Sequence, residues 1–331
     1  MIISKTPYRL SFFGGGTDYN SWFETHGGLT ISTTFSKYCY ITVRKLPPFF
    51  EHKTRVSYSK EELVKNHNDI LHPAVKNSLK YLNINTGLEI HHDGDLPARS
   101  GIGSSSSFTV GMLHALYALE GRMVSRKKLA DDAIYVEQVL SAENVGVQDQ
   151  IISSFGGLQI IEMGPENNYT VTPLILPRDY KTELENHILL GYTGLSRIAS
   201  ESAKEQIDNI KNGINFSKVN EIYSISIDAL NLFRQHESFE KIGKLLDQSW
   251  NIKKTLTSSI SNDLIENTYT TALKNGAYGG KLLGAGGGGF IMFLAPPEKH
   301  LQIKNALKEM KVWIPFHFEE NGSQIIFCDE S

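Results

Sequence analysis

The segment Pro97-Ala98-Arg99-Ser100-Gly101-Ile102-Gly103-Ser104-Ser105-Ser106-Ser107 runs directly into an apolar helical pattern over Phe108–Leu119. Glycine lets the main chain approach an anion closely, and a helix that starts straight afterwards aims unpaired amides and the positive end of its dipole at that anion. The serines add hydroxyl donors for phosphate oxygens and oxygen ligands for a hard cation such as Mg2+. A serine cap on a helix would need only one of these serines and neither glycine. The segment therefore reads as a phosphate cradle in which Pro97, Arg99, Gly101, Ile102, Gly103, Ser104, Ser105, Ser106 and Ser107 hold a nucleotide triphosphate, with the helix cap as the plainer alternative.

At 331 residues the chain has the length of two ordinary domains, each able to bury a core. Its 40% hydrophobic and 21% charged residues are those of a globular enzyme and exclude a fibrous or disordered chain. With a formal charge of −3 and no long Lys/Arg block, no broad footprint for nucleic acid or an anionic membrane is visible, so any anion site is local. Cys39 and Cys328 lie far apart without a C-x-x-C pattern, which disfavours a disulfide framework and a zinc site and suits a reducing cytoplasm. The start of the chain has no uninterrupted apolar stretch, and no later one reaches the roughly 18 residues of a membrane helix, so neither export nor insertion is expected.

Strands are expected at Tyr8–Phe13, Gly28–Phe35, Cys39–Val43 and Leu88–His91, with helices at Lys60–Asn66 and His72–Leu82. After the cradle come helices over Phe108–Glu120, stopped by Gly121, and Ser125–Ala142, capped by Ser125, followed by a strand from Gly156 to Met163 and a hairpin over Pro165–Pro177. A boundary near Leu184 divides the chain into residues 1–184 and 185–331. The second part reads as a strand at His187–Tyr192, helical segments from Arg197 to Asn275, strands at Gly279–Leu283 and Gly289–Leu294, a helix at Glu298–Met310, and closing strands at Ile314–Phe318 and Gln324–Cys328. Apart from the extra helices this is β-α-β-β-α-β, the ferredoxin-like split βαβ plan, so the class is α+β.

Other residues carry chemistry. The strand ending at Phe13 feeds Gly14-Gly15-Gly16-Thr17-Asp18, where Gly15 and Gly16 leave space for a ligand and Thr17 and Asp18 offer polar partners to a polyol. A glycine turn capped by Asp18 is the alternative. Glu137 falls on a helical stripe with Leu129, Ala130, Ala133, Ile134 and Leu140. A carboxylate on that side needs a cation or hydrogen bonds, so an Mg2+ ligand and a buried salt bridge are both open. The cluster from Gly279 to Gly289 places Gly284, Gly286 and Gly287 where backbone amides can surround an anion, or where a bulged hairpin needs them.

Taken together, the three glycine clusters resemble the GHMP superfamily of galactokinase, homoserine kinase, mevalonate kinase and phosphomevalonate kinase. The signature P-x-x-x-G-[LI]-G-S-S is met at Pro97–Ser105 and the closing G-A-G-G-G at Gly284–Gly288, so the likeness spans nearly the whole chain. It implies an N-terminal domain similar to ribosomal protein S5 domain 2, a ferredoxin-like C-terminal domain, and ATP and acceptor bound between them. It further implies that Ser105 and Glu137 hold Mg2+, that Asp149 is the catalytic aspartate, and that Arg9 is its basic partner. Galactokinases carry Glu-His where this chain has Gly15-Gly16, which argues against galactose and leaves room for a larger sugar. With Lys37-Tyr38-Cys39-Tyr40-Ile41-Thr42 and Val147-Gln148-Asp149-Gln150, the pattern most resembles bacterial D-glycero-D-manno-heptose 7-phosphate 1-kinases, with L-fucokinase-like enzymes and a sugar-binding sensor as alternatives. A phosphorylated acceptor needs a second anion pocket, for which Arg99, Arg197, Arg44 and Lys5 are candidates by charge.

Overall fold

The computed structural model describes residues 1–195, 199–310 and 312–329, with the side chains of 199–202 outside the description. Arg197 lies outside the described residues.

Two long strands open the chain, β1 (Ile2–Phe13) and β2 (Gly28–Lys45), joined through helix α1 (Asn20–His26). The sequence patterns divide β2 into two strands, Gly28–Phe35 and Cys39–Val43. It is continuous because β1 pairs along it with a bulge there, the register jumping from Pro7 opposite Tyr38 to Tyr8 opposite Phe35. Pro7, which cannot donate to a ladder, sits at that bulge. Next come β3 (Thr54–Ser57), β4 (Glu61–Val64), α2 (Pro73–Tyr81), β5 (Leu88–Gly94), α3 (Ser104–Leu119), α4 (Arg126–Tyr135), α5 (Gln148–Phe155), β6 (Leu158–Met163) and β7 (Tyr169–Pro173).

The helix expected over Lys60–Asn66 is instead β4, hairpinned to β3. Its alternation puts Glu62 inside, where the carboxylate accepts from the amide of His72 at 3.1 Å, just before α2, and this tertiary contact outweighs local helix propensity. Ser125 caps α4 as expected, its hydroxyl accepting from the amide of Lys128 at 3.2 Å. The helix then widens into a π-turn over Val136–Leu140 that carries Glu137.

The second part holds α6 (Arg178–His187), β8 (Ile188–Tyr192), α7 (Ala199–Lys211), α8 (Phe216–Arg234), α9 (Phe239–Lys253), α10 (Asp263–Lys274), β9 (Gly279–Leu282), β10 (Phe290–Leu294), α11 (Pro297–Ala306) and β11 (Val312–Ile314). Its sheet has the order β11-β8-β10-β9, all pairs antiparallel, as the ferredoxin-like plan requires. The strand that closes this plan is β11. The final strands, β12 (Phe318–Glu319) and β13 (Gln324–Cys328), return to the first sheet and pair with β2 and β1. That sheet runs β13-β1-β2-β5-β3-β4, with β6 and β12 also on β2.

One apolar core joins both sheets, and Phe233 of α8 meets the rings of Phe12 and Phe13 edge-on. Helix α3 lies against β1, where a side chain on Gly111 would come within 2.8 Å of the Thr6 hydroxyl. His114 of α3 shares a hydrogen bond with Ser323 Oγ at 2.9 Å, tying the returning segment to this helix. Burial pushes the pKa of His114 from 6.5 down to about 4. The unfolded chain therefore takes up that proton first, so this stabilisation is complete above about pH 6.5 and is lost as the pH falls toward 4. Urea unfolding at pH 7 and pH 4 is expected to show His114→Asn gaining about 3 kcal/mol relative to the parent over that interval. An unchanged difference between the two proteins would refute the assignment.

Candidate active site

Helix α3 begins at Gly103, which is left-handed at φ 71° and offers no side-chain cap. The first-turn amides are thus not used by a side-chain capping oxygen, which is the condition for an anion to be met there. The four serines divide by role. Ser104 Oγ accepts from the amide of Arg99 at 3.2 Å and so holds the loop. Ser105 is exposed at the helix start. Ser106 is buried and donates to Glu137 Oε2 at 2.9 Å, and Ser107 donates to the carbonyl of Pro7 at 3.0 Å.

The second and third glycine turns are pressed together. A side chain on Gly101 would lie 2.3 Å from the carbonyl oxygen of Leu283, and one on Gly284 would lie 2.7 Å from Gly101 Cα. The amide of Phe290 donates to the carbonyl of Ser100 at 2.9 Å. Gly286 and Gly287 pack on Ile260, whose carbonyl takes the Gly287 amide at 2.9 Å, so that amide serves the fold rather than a ligand.

Arg9 reaches this junction from β1. Its amide donates to the carbonyl of Ile102 at 3.1 Å, and its guanidinium also donates to the carbonyl of Gly101. Two further bonds of 2.7 Å pair it bidentately with Asp149. Arg9 is only 4% exposed, so this charge pair acts in a medium of low polarity. Gly103 must be glycine here, because a Cβ would sit 2.9 Å from Arg9 Cγ and 3.3 Å from Asp149 Oδ2. Asp149 lies in the first turn of α5, a helix that the sequence patterns do not predict.

The first glycine turn joins from the other side. Asp18 is buried, accepts from the amide of Gly16 at 2.9 Å, and leaves no room for a side chain on Gly146. Its burial raises its pKa, against the amide bond that favours the carboxylate. The amide of Val147 donates to the Asp18 carbonyl at 3.1 Å, fastening this loop to the start of α5. Thr17 is fully buried and donates to the carbonyls of Gly14 and Leu29, so its hydroxyl braces the turn.

Glu137 is 1% exposed, as the helical stripe requires. Oε2 accepts from Ser106 and Gln150, whereas Oε1 is buried without a hydrogen-bond partner. Burial, assisted by nearby Glu143, lifts its pKa to about 7, while the adjacent polar groups of Thr109, Gln150 and Ser106 oppose the shift. A buried carboxylate oxygen with a free lone pair fits a cation. Among the described residues no three His, Cys, Asp or Glu side chains converge as a closed metal cage. Mg2+ takes one or two carboxylates and completes its shell with phosphate and water, so the free Glu137 oxygen is a donor of the kind it uses.

Three charged or polar groups were missed by sequence reading. Gln148 receives the hydroxyls of Ser11 at 2.9 Å and Ser32 at 3.0 Å and donates to Asp149 Oδ1 at 3.2 Å, orienting that carboxylate. Lys253 donates to the carbonyl of Gly284 at 3.1 Å, and Lys281 to that of Phe12 at 3.2 Å. Both lysines carried a signal. Lys253 continues the apolar stripe Phe239, Ile242, Leu246, Trp250, and Lys281 interrupts a strand that is buried throughout. Of the proposed basic residues, Arg99 stands exposed on the cradle, Arg44 pairs with Glu89, and Lys5 lies 3.7 Å over the ring of Tyr38.

The descriptions of the GHMP kinases N terminal domain and the GHMP kinases C terminal match residues 67–157 and 227–312. The chain belongs to the GHMP kinase family and is a phosphotransferase. It is 30% identical to the D-glycero-alpha-D-manno-heptose 7-phosphate kinase of Campylobacter jejuni, with 97% of each chain covered. The crystal structure of a D-glycero-D-manno-heptose 1-phosphate kinase from Bacteroides thetaiotaomicron superposes with a TM-score of 0.78 over 98% of each chain at 22% identity. A putative sugar kinase from Campylobacter jejuni gives 0.72 over 98% of each chain at 26% identity. Among the described residues no helix is long and apolar enough to cross a membrane.

Proposed function

We propose that the chain transfers the γ-phosphoryl group of ATP to the anomeric 1-hydroxyl of D-glycero-D-manno-heptose 7-phosphate, yielding the 1,7-bisphosphate and ADP, in the cytoplasmic activation of heptose for surface polysaccharide. The observation that carries this reading is the bidentate pair of buried Arg9 with Asp149 at the meeting of the cradle, the third glycine turn and the Asp18 loop. The full-length likeness to the Campylobacter jejuni heptose kinase supports the choice of sugar.

In this mechanism the cradle amides and the dipole of α3 hold the triphosphate. The sugar lies along Gly15, Gly16 and Asp18, whose carboxylate accepts from ring hydroxyls. The 1-hydroxyl oxygen attacks the γ-phosphorus as the bond to the β,γ-bridging oxygen breaks, and Asp149 orients that hydroxyl and receives its proton. Arg9 and Gln148 fix the carboxylate for this task. Glu137 and Ser105 would hold Mg2+, which when bound neutralises triphosphate oxygens. Ser106 and Gln150 keep Glu137 aimed.

Mg-ATP and a panel of heptose 7-phosphate, free heptose, hexoses and fucose, followed by ADP release, tests the assignment. Fastest turnover of the heptose phosphate is expected, and a preference for fucose would replace it with the fucokinase reading. Glu137→Gln is expected to raise the Mg2+ concentration for half-maximal rate at least tenfold. Its thermal midpoint without ligand should hold or rise, because a neutral amide is cheaper to bury than a carboxylate. An unchanged Mg2+ requirement would remove Glu137 from the cation site.

A further inference from the structure

Two buried ammonium groups face the position where Gly15 lacks a side chain. A Cβ built there would lie 3.1 Å from Lys253 Nζ and 3.9 Å from Lys281 Nζ. The two residues are only 7% and 5% exposed. They come from α9 and β9 in the second part of the chain, yet they border the glycine loop of the first. Each donates one hydrogen bond, to a backbone carbonyl, although an ammonium carries three donors. Among the described residues neither has a carboxylate within 4.0 Å.

The charge count around them is unbalanced. Arg9 is closed in its pair with Asp149, which leaves Asp18 as the nearby carboxylate for two cations. Like charges sharing a small buried volume repel, and burial adds a desolvation cost. Both effects act on Lys281, whose pKa lies well below its usual value, first through burial and then through Lys253. Burial likewise brings Lys253 down to about 8. An arrangement costly in the empty protein becomes favourable when a dianion enters between the two groups. The position that the two ammonium groups face is the one left without a side chain at Gly15.

We propose that Lys253 and Lys281 together seat the phosphate ester of the acceptor beside Gly15, and so set the preference for a phosphorylated sugar over a free one. This rests on the sugar-phosphate reading above. Gly15 is then required because any side chain would occupy the anion's place, and Arg44 and Lys5, engaged elsewhere, are not needed for it.

The test compares kcat/KM for heptose 7-phosphate and for free heptose in the parent, Lys253→Met and Lys281→Met, with Lys281→Gln as a second variant should a methionine variant fail to fold. The parent should favour the phosphate ester. Each substitution should cut that ratio at least twentyfold through KM of the phosphorylated sugar, with KM for ATP changed less than threefold. Methionine replaces a buried charge by an apolar chain of similar length, so the thermal midpoint without ligand should be equal or higher. A ratio within twofold of the parent's overturns the proposal. So does an equal loss on both sugars with a raised KM for ATP, which would make the nucleotide's terminal phosphate the occupant. If the parent itself does not distinguish the two sugars, the sugar-phosphate reading fails, an outcome separable from failure of the lysine pair alone.

Discussion

Asp149→Asn is expected to lower kcat about a thousandfold, within the roughly 10²–10⁴ range of a positioned acid or base. The amide oxygen can still accept one of the two bonds from Arg9, whereas its NH2 cannot accept the other, so the side chain keeps one anchor while the negative charge and the proton acceptor are lost. The stability cost should stay below the about 3–5 kcal/mol incurred when one partner of a fully buried pair is removed, since the Asp149 side chain is 24% exposed. Stabilisation by Mg-ATP, read as a rise in thermal midpoint, should persist, which separates chemistry from nucleotide binding. Turnover near that of the parent would eliminate both the base and the need for a negative charge, leaving positioning and electrostatics from other groups to carry the reaction.

Gly101→Ala is expected to destabilise the protein by about 2–5 kcal/mol, from the left-handed backbone and from overpacking combined. Gly101 has φ +82°, and the added methyl would stand 2.3 Å from the Leu283 carbonyl oxygen. Neither contact surface is a flexible side-chain end, so the cradle and the third glycine turn must part, and KM for ATP should rise at least tenfold. Gly121→Ala provides the control. Its φ is +65° but nothing lies within 4 Å of the added atom, so only the backbone term of about 1–2 kcal/mol remains. Urea unfolding and ATP kinetics on the two variants check both numbers. Equal effects would mean that the packing of Gly101 on Leu283 does not govern the site.

The parts of this site that were legible in the residues are those with local causes. Glycines followed by an apolar helical pattern define a helix start that meets an anion, whatever surrounds it. Glu137 could be placed inside because its stripe follows from helical period alone. Lys253 lies on a stripe of the same kind, but a long lysine stem on an apolar face ordinarily reaches out to water, so the stripe alone does not place its ammonium inside. The strand at Glu61–Val64 was misread because the contact that decides it, Glu62 with the amide of His72, is made outside the hairpin. The continuity of β2 depended on a bulge that only pairing with β1 reveals.

Which hydroxyl reaches Glu137 could not be read from the serine run either. One helical step of rotation turns Ser106 inward and Ser105 outward, and that rotation is set by how α3 packs on β1 through Gly111.

By itself the sequence determined the kind of local structure available: three glycine turns, a helix opening at the cradle, a carboxylate forced inward, and the ferredoxin-like order of the second part. Only the tertiary structure decided which charges meet. Arg9 and Asp149, linked beforehand only by the family resemblance, meet bidentately across 140 positions of chain, and Lys253 and Lys281 cross from the second part to the loop at Gly15. Backbone preferences act over a few residues and are written in adjacent letters. The electrostatics of a buried site depend on side chains brought together from distant segments, and their energies exist only once water has been excluded between them.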